Sequence, residues 1–308
     1  MSSRSAVTVY VPGSVGNVGP GLDILGLALA GAGDTVRAEW CDGDGVTVTD
    51  AGHAELPTDA ARNTAAIAAQ AVLRRAGVTR GVSLRITKGL PLSGGQGGSA
   101  ASAVGGAVAA NLLSGAGLDS AALLECAMEA EATVAGRHAD NLAPSLLGGL
   151  VLVRSVAPMD VVRLPLPASL RVVLVQPEQR LNTRDARAVL PTEVTRDVAL
   201  HQAAHVAAMV AGACLGDLAL LGRGLDDRIA EPARRALLPG FEAAQQAARA
   251  AGALGGSISG AGPTAFALVE SDPIGARVLA AMQAAYAAAG MRTTGRVAEV
   301  DFQGARET

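Results

Sequence analysis

Apolar and polar residues follow two different spacings along this chain, and the spacings predict an alternation of strands and helices. Alternation with a period of two, or a short apolar run, predicts strands at residues 6–11, 35–39, 46–49, 82–86, 150–153, 171–175, 265–269 and 296–302. Apolar residues at helical spacing predict helices at residues 63–75, 99–113, 119–135, 194–221, 233–238, 241–251 and 274–289. Because strands and helices interleave in both halves, we expect two α/β or α+β units.

Prolines near the middle of the chain predict a domain boundary. Pro158, Pro165 and Pro167 separate the first half from the strand predicted at 171–175. We therefore expect an N-terminal domain over residues 1–157 and a C-terminal domain over residues 158–308. A chain of 308 residues is long enough for one large domain or two medium ones with proper apolar cores.

The charge balance argues against a nucleic-acid partner. The chain has 25 basic and 28 acidic residues, a formal net charge of -3, and only 2% aromatic residues. Proteins that bind nucleic acids usually present a basic patch and stacking aromatic rings. Half of the residues are apolar and 17% are charged, which also argues against disorder.

Cysteine usage and the apolar runs bear on the cellular compartment. The three cysteines are an odd number without a CxxC motif or His-Cys clustering, which argues for a reduced cytoplasm and against a disulfide framework or a zinc site. Residues 1–10 lack an apolar signal core. The longest weakly polar runs, at 100–113 and 206–221, are too short or are interrupted by Asp217. We therefore expect no membrane partner and a cytoplasmic location.

The segment at residues 91–102, Pro-Leu-Ser-Gly-Gly-Gln-Gly-Gly-Ser-Ala-Ala-Ser, is the strongest local signal for chemistry. Its glycines let backbone N–H groups converge, and the predicted helix adds its positive N-terminal end, which suits a di- or triphosphate. It is not a Walker A loop, because no Gly-Lys-Ser/Thr follows. It fits the dinucleotide-binding pattern only loosely, because no acidic residue closes a second strand. From these residues alone, a flexible turn before a helix is an equal alternative.

Three other segments place polar residues beside predicted elements. Residues 12–23 follow the first strand and carry Asn17 and Asp23, although alone they indicate only a structured loop. Residues 137–141 bring a histidine, an aspartate and an asparagine together ahead of a Gly-Gly pair. Residues 256–264 form a second glycine-rich segment, with backbone N–H donors between a helix and a strand.

In their order and spacing, these segments resemble the motifs of the GHMP small-molecule kinases. Residues 12–23 follow the family's Pro-Ala-Ser-x-x-Asn-Leu-Gly-Pro-Gly-Phe-Asp, and residues 91–101 follow Pro-x-x-x-Gly-Leu-Gly-Ser-Ser-Ala-Ala. Residues 259–264 match Ser-Gly-Ala-Gly-Pro-Thr without change. The resemblance covers nearly the whole chain. It implies an α+β fold, with an N-terminal α/β domain that carries the phosphate loop and a C-terminal ferredoxin-like domain.

Further patterns resemble the branch of the family that phosphorylates homoserine. These are His-x-Asp-Asn at 138–141, Thr-x-x-Ala-Arg-x-x-Leu-Pro at 183–191 and Glu-Pro-x-Arg-x-x-Leu-x-Pro-Gly at 231–240. The implied reaction transfers a phosphoryl group from ATP, with Mg2+, to the side-chain hydroxyl of L-homoserine for threonine synthesis. A homodimer is common in the family. Two alternatives stay open: a GHMP enzyme that acts on a different small alcohol, and an inactive ligand-binding homologue.

The phosphate loop departs from the family pattern at two positions. Gln96 stands where the family has Leu or Met, and Gly98 replaces the first of two serines. These two changes are the only support for the inactive alternative. Ser99, the serine expected to reach Mg2+, is retained.

For the nucleotide, the resemblance implies contacts from Asn63, Pro91, Ser93, Gly94, Gly95, Gln96, Gly97, Gly98, Ser99, Ala100 and Thr183. Asn63 matches the family's adenine-side asparagine, with a helix N-cap as an alternative at comparable odds. Ser99 and Glu131 are the implied Mg2+ ligands. Without the resemblance, Glu131 would be interpreted as one of several solvated carboxylates on its helix.

For the amino-acid substrate, the resemblance implies contacts from Asn17, Asp23, His138, Asp140, Asn141, Arg187, Arg234 and Gly260. The two arginines suit the substrate carboxylate, because a guanidinium binds carboxylate bidentately. Asp23, with Asn17 and His138, suits the ammonium group. The implied catalytic residues are Asp140, Asn141 and Arg187, with Asp140 near the attacking hydroxyl as an orienter or weak base. A structural carboxylate that caps the next turn is the alternative for Asp140.

Of the 25 basic residues, only Lys88 is a lysine. Mevalonate-type members of the family pair a catalytic aspartate with a lysine near the N-terminus. This chain has no lysine before Lys88, which disfavours the mevalonate branch.

Overall fold

The computed structural model describes residues 4–308, whose strands form two sheets. The first sheet has seven strands: β1 (Ala6–Gly16), β2 (Leu25–Asp44), β3 (Val46–Asp50), β4 (Arg80–Thr87), β5 (Leu150–Val156), β6 (Met159–Leu164) and β11 (Arg306–Glu307). The second has four: β7 (Arg171–Pro177), β8 (Gly255–Ile258), β9 (Ala265–Val269) and β10 (Thr293–Glu299).

Ten α-helices within residues 4–308 accompany these strands. They are α1 (Thr64–Arg75), α2 (Gly98–Ser114), α3 (Ser120–Val134), α4 (Leu142–Leu147), α5 (Thr183–Ala188), α6 (Arg196–Leu215), α7 (Leu218–Arg223), α8 (Ala230–Arg234), α9 (Phe241–Ala250) and α10 (Asp272–Ala288). A 3-10 turn, Arg235–Leu237, follows α8.

The second sheet has the strand order β10-β7-β9-β8, and all of its pairs are antiparallel. This order, with helices between β7 and β8 and between β9 and β10, is the ferredoxin-like arrangement. The predicted α+β class and the predicted ferredoxin-like second unit are therefore confirmed.

The two sheets share one apolar core. Alternate residues of β7 and β9 point to opposite faces, as the period of a strand requires. Leu174 and Phe266 pack with Leu27 of the first sheet and Met209 of α6, whereas Val173 packs on the other face against α9 and α10. A third apolar cluster lies between the first sheet and helices α1 to α4. The shared core brings the loops of both sheets to one cleft.

Several elements differ from the predictions. The helix predicted at 194–221 is divided into α6 and α7, because Gly216 adopts a left-handed φ of 69° and Asp217 caps α7 through the Leu220 N–H. β2 extends well beyond the predicted 35–39, and the last long strand covers 293–299 instead of 296–302. The short elements α4, α5, β6, β8 and β11 were not predicted.

The predicted division at residue 157 falls inside one hairpin. β5 and β6 pair antiparallel across this position, and β11 returns from the end of the chain to pair with β1. Sheet membership therefore assigns residues 159–164 and 306–307 to the first sheet. The division into residues 1–157 and 158–308 stays a prediction.

Within residues 4–308, one helix, α6, is long and apolar enough to span a bilayer by those two criteria alone. A single helix of this kind is weak evidence, since helices in water-soluble proteins can have the same length and composition. Met209 and Ala213 of α6 are buried in the shared core. The expected absence of a membrane partner stays a prediction. Of residues 1–10, which were expected to lack a signal core, the first three lie outside the described part.

Candidate active site

A cleft of about 600 Å³ lies between the phosphate loop (residues 91–99), α5 and the segment 259–264. Most of the residues implied by the sequence line it: Asn17, Asn63, Pro91, Ser93, Gly94, Gly95, Gly97, Gly98, Ser99, Glu131, His138, Asp140, Asn141, Thr183, Arg187, Arg234 and Gly260. Three others, Asp23, Gln96 and Ala100, are not among the lining residues. Residues more than 200 positions apart in the chain therefore meet at one cavity.

The phosphate loop leads directly into α2. Gly97 is the N-cap residue, with a left-handed φ of 72°, and the first turn of α2 carries no acidic side chain. The positive end of the helix and its free N–H groups therefore face the cleft without a carboxylate from the first turn of α2 itself. This arrangement favours the anion-binding interpretation over a simple turn.

Two hydroxyl groups hold the phosphate loop against the second sheet. Ser259 Oγ donates to the Gly95 carbonyl at 2.6 Å, and Thr264 Oγ1 donates to the Gly94 carbonyl at 2.5 Å. Gly95 has a φ of 74°, and a Cβ there would lie 2.5 Å from the Ser259 carbonyl oxygen. Glycine at this position permits the close approach of the two segments.

The two departures in the phosphate loop have structural explanations. The side chain of Gln96 turns away from the cleft, where its Nε2 donates to Gln176 at 3.1 Å and its Oε1 accepts from Arg296 at 3.4 Å. It therefore links the loop to β7 and β10. A Cβ on Gly98 would meet no atom closer than 3.5 Å, so the space for a side chain is present there.

A buried ion pair under the phosphate loop was not predicted. Lys88 donates to Asp34, to the Gly98 carbonyl at 2.9 Å and to Ser102 Oγ at 3.0 Å. The side chains of Lys88 and Asp34 are 6% and 0% exposed. Asp34 also accepts the N–H groups of Gly89 and Leu90. This pair ties β2 and the segment after β4 to the start of α2, and the sequence signal for it was the position of the one lysine.

Glu131 lies in the cleft with one carboxylate oxygen unpartnered. Its Oε1 accepts from Ser99 Oγ at 3.2 Å, while the buried Oε2 has no hydrogen-bond partner. Burial raises the pKa of Glu131 to about 7, against the lowering effect of Ser99. A hydroxyl and a carboxylate with free lone pairs are the ligand types that Mg2+ prefers, so these residues fit that ion. Glu131 does not belong to a solvated face.

Asp140 and Asn141 are held by the loop that follows β1. The Asn17 N–H donates to Asp140 Oδ2 at 2.9 Å, and Ser14 Oγ donates to Asn141 Oδ1 at 3.0 Å. A Cβ on Gly16 would lie 2.5 Å from Asp140 Oδ2, so only glycine allows this approach. Burial raises the pKa of Asp140 to about 6. The N-cap of α4 is Asn141, and no side-chain hydrogen bond caps that helix.

Asp23, Arg187 and His138 form a charged cluster at the cleft. Arg187 of α5 contacts both carboxylate oxygens of Asp23 through its two terminal nitrogens, and its buried Nε has no partner. His138 Nδ1 lies 3.3 Å from Asp23 Oδ1, and burial lowers the pKa of His138. The guanidinium and the carboxylate implied for the substrate therefore pair with each other in this structure.

Arg234 is the largest fully buried side chain among the described residues. Its Nε donates to the Ala186 carbonyl at 3.0 Å, and its Nη1 donates to the Gly260 carbonyl at 2.9 Å. Within residues 4–308, no carboxylate lies within 4.0 Å of it, and burial lowers its pKa. A buried guanidinium without an ion-pair partner favours an anionic ligand.

Asn63 has a clear structural role. Its Oδ1 accepts the N–H groups of Ala65 and Ala66 at the start of α1, and its Nδ2 donates to the Pro57 carbonyl at 2.9 Å. The N-cap alternative is thus observed. Asn63 also lines the cleft, and its contact with a nucleotide stays a prediction.

Backbone strain is concentrated in the loops around the cleft. Within residues 4–308, the non-glycine residues with positive φ are Asn17, Val18, Asp23 and Ser93. A β-branched residue such as Val18, with a φ of 44°, is strongly disfavoured there. Strain of this kind persists only where the surroundings impose it, and it is typical of ligand-binding sites.

Replacing Asp140 by Asn tests the cost of burying this carboxylate. Because burial raises the pKa of Asp140 in the folded state, the wild type has its full stability at this position below about pH 4, where the carboxyl is protonated. This contribution is lost as the pH rises through about 6. We expect D140N to exceed the wild type in free energy of unfolding at about pH 8 by on the order of 2 kcal/mol. The difference should vanish near pH 4, as measured by urea denaturation.

The exposed Asp42 offers the matched control. The substitution D42N should change the free energy of unfolding equally at both pH values. A D140N protein that is less stable than the wild type at about pH 8 would contradict the assigned burial cost.

Comparison with known proteins places the chain in a family. The family model described as the N-terminal domain of GHMP kinases matches residues 63–149, and the model for the GHMP kinase C-terminal domain matches residues 209–288. Both matched segments contain cleft residues or the helices that position them.

Relatives match over nearly the whole chain. A homoserine kinase from Chlorobaculum tepidum is 39% identical, with 97% of each chain covered. A homoserine kinase from Arabidopsis thaliana is 41% identical, with 98% of this chain and 84% of that protein covered. The crystal structure of homoserine kinase from Cytophaga hutchinsonii superposes with a TM-score of 0.95 at 40% identity, covering 100% of this chain and 99% of that one. Identity at this level over the full length, together with the family models, means that the chain belongs to the GHMP kinase family.

Proposed function

We propose that the protein is a homoserine kinase, which uses ATP to phosphorylate the side-chain hydroxyl of L-homoserine and forms O-phospho-L-homoserine for threonine synthesis. The observation that carries the proposal is the content of the cleft. It combines an anion-binding helix start with two guanidinium groups, one of which, Arg187, pairs with the carboxylate of Asp23, and these groups suit a free amino acid. The similarity to relatives named homoserine kinase supports the same substrate.

The Asp23–Arg187 ion pair suits a zwitterionic substrate. The amino acid can insert between the two groups, so that its carboxylate replaces Asp23 at Arg187 and its ammonium replaces Arg187 at Asp23. Both charges remain paired throughout this exchange. His138, next to Asp23, and the Gly260 carbonyl, next to Arg234, complete the proposed substrate site.

Asp140 and Asn141 orient the attacking hydroxyl. With a pKa of about 6, the Asp140 carboxylate is mostly ionised at neutral pH and can accept a hydrogen bond from the substrate hydroxyl. This pKa is close enough to neutral pH for Asp140 to act as a weak base as well. Because phosphoryl transfer depends mainly on positioning and charge stabilisation, a strong base is not required.

For the nucleotide, the N–H groups of the phosphate loop and of the first turn of α2 bind the phosphate oxygens. Ser99 and Glu131 hold Mg2+, and Asn63 and Thr183 lie on the nucleotide side of the cleft. Bound Mg2+ supplies positive charge to the phosphate oxygens of ATP. Lys88 supports the loop from beneath through the Gly98 carbonyl.

Turnover of a panel of hydroxy compounds tests the proposed function. A coupled ATP-consumption assay should give the highest kcat/KM with L-homoserine, well above those with mevalonate, galactose and shikimate, and phosphorus NMR should identify a phosphomonoester product. Preferred turnover of another alcohol would support the first alternative. Binding of homoserine without ATP consumption would support the inactive homologue.

Arg187 and Arg184 form a matched pair of variants on α5. Arg187→Ala removes a charge-assisted contact to the substrate carboxylate, which is worth about 1.5–3 kcal/mol. We expect the homoserine KM to rise by roughly 10- to 100-fold and the ATP KM to change less than about threefold. Arg184 is exposed and does not line the cleft, so Arg184→Ala should leave both values unchanged. Equal increases in both KM values for Arg187→Ala would contradict the role.

A homodimer and a cytoplasmic location are further parts of the proposal. Leu200 and Leu215 of α6 are 61% and 76% exposed, and α6 has no charged Asp, Glu, Lys or Arg after Asp197, which suits burial against a second copy.

Sedimentation should give about twice the chain mass of 30.6 kDa. Leu200→Glu should yield monomers, whereas Val162→Glu, on the exposed side of β6, should not. A monomeric wild-type protein would exclude the dimer.

A further inference from the structure

Two of the four histidines lie one helical turn apart on α6, outside the cleft. His201 and His205 stack with ring centroids 3.7 Å apart. Asp226, in the loop after α7, faces both rings. Neither histidine nor Asp226 lines the cleft described above. Within the described residues, this is the one group of three such side chains whose ligand atoms all lie within 4.8 Å of one another.

The hydrogen bonds of His205 prepare one nitrogen as a metal ligand. Its Nδ1 lies 2.9 Å from the His201 carbonyl oxygen, which can only accept, so Nδ1 carries the proton. The lone pair of the neutral ring is therefore on Nε2, which lies 3.9 Å from Asp226 Oδ2. A backbone carbonyl that fixes the tautomer in this way is typical of metal-binding histidines.

His201 completes the group from the preceding turn. Its Nε2 lies 3.2 Å from Asp226 Oδ2 and 3.2 Å from the Asp226 carbonyl oxygen. Two ligand atoms bound to one tetrahedral ion at about 2.05 Å are about 3.3 Å apart. The nitrogen–oxygen separation of 3.2 Å from His201 already fits this geometry. The separation of 3.9 Å from His205 must shorten by about 0.6 Å. Because both of these Asp226 oxygens accept, His201 Nε2 carries a proton in this structure, and it must give up that proton to bind a metal, with the ring then protonated at Nδ1.

The loop that carries Asp226 is already fixed against α6. The buried Gln202 donates to Asp227 at 3.0 Å and accepts the Arg228 N–H at 2.9 Å. Asp227 in turn accepts N–H groups at the start of α8. The carboxylate of Asp226 is therefore presented to the two histidines by a backbone with little freedom, which lowers the entropy cost of binding.

We propose that His201, His205 and Asp226 form a binding site for one divalent transition-metal ion of the Zn2+ type. Two imidazoles and a carboxylate favour Zn2+, Co2+, Ni2+ or Cu2+ over Mg2+ and Ca2+, which prefer oxygen ligands. Asp226 is 53% exposed, so water fills the remaining positions. The ion joins α6 to the loop before α8, and α8 carries Arg234 of the cleft. The sequence signal for this site is the i, i+4 spacing of the two histidines, which the cysteine pattern does not reveal.

Zinc titration of the full chain tests the site. After dialysis against a chelator, and without nucleotide, calorimetry should give one Zn2+ per chain and thermal unfolding should shift upward with Zn2+ concentration. An excess of Mg2+ should leave the Zn2+ affinity unchanged. His205→Ala and Asp226→Asn should each weaken binding by at least about tenfold. If His205→Ala fails to fold, Asp226→Asn provides the test of metal binding, because Asp226 is exposed.

The control is His53→Ala, which removes an exposed histidine away from α6 and should bind Zn2+ like the wild type. Co2+ should give visible bands of nitrogen and oxygen ligation. A thiolate charge-transfer band would mean that the exposed Cys214 binds the metal, and would overturn the site. The absence of saturable binding, or unchanged affinity in a folded His205→Ala or Asp226→Asn protein, would also overturn it.

Discussion

Charge that is buried in the cleft but only partly compensated by the protein is the constraint on which the rest of the structure depends. Glu131 keeps one oxygen without a partner, and Asp140 has only backbone N–H groups as hydrogen-bond donors. Arg234 is enclosed between two carbonyl groups without a carboxylate. Burying such groups costs free energy, because the charged forms lose hydration. A bound cation, phosphate chain or zwitterion would each offset part of this free-energy cost.

Apolar packing elsewhere offsets that cost and sets the shape of the cleft. The core shared by the two sheets fixes the loop after β1, the phosphate loop and the segment 259–264 relative to one another. Short contacts then allow little movement: the Ser259 hydroxyl contacts Gly95, and the Gly16 backbone approaches Asp140. The proposed mechanism, in which reacting groups are positioned without a strong base, requires this rigidity.

The elements with long periodic patterns could be predicted from the sequence. Helix α2 and its glycine-rich start were clear from residues 91–113, and Asn63 was identified as a possible N-cap. The six-residue helix α5, which carries Arg187, has too few residues to produce a period. Local sequence patterns also cannot predict contacts between residues that are far apart in the chain. The Lys88–Asp34 pair joins residues 54 positions apart, and the Gln96 side chain faces the second sheet instead of the cleft.

Resemblance supplied what periodicity could not, namely the identity of the cleft residues. It transferred roles residue by residue, and the structure brings nearly all of them to one cavity. It gave no information on features outside the family's motifs. The histidine pair of α6 is such a feature, since its partner Asp226 is 21 positions beyond His205 and joins it only in the folded chain.

Glu131→Gln gives the most direct test of the buried-charge constraint. Thermal unfolding of this variant and of the wild type should be measured at about pH 8, above the raised pKa of about 7, with and without ATP, Mg2+ and homoserine. Without ligands, the variant should be the more stable protein, because it lacks the buried carboxylate. With ligands, the wild type should gain more in melting temperature, because the charge then has a partner. A variant that is less stable without ligands, or that gains as much as the wild type with them, would contradict the constraint.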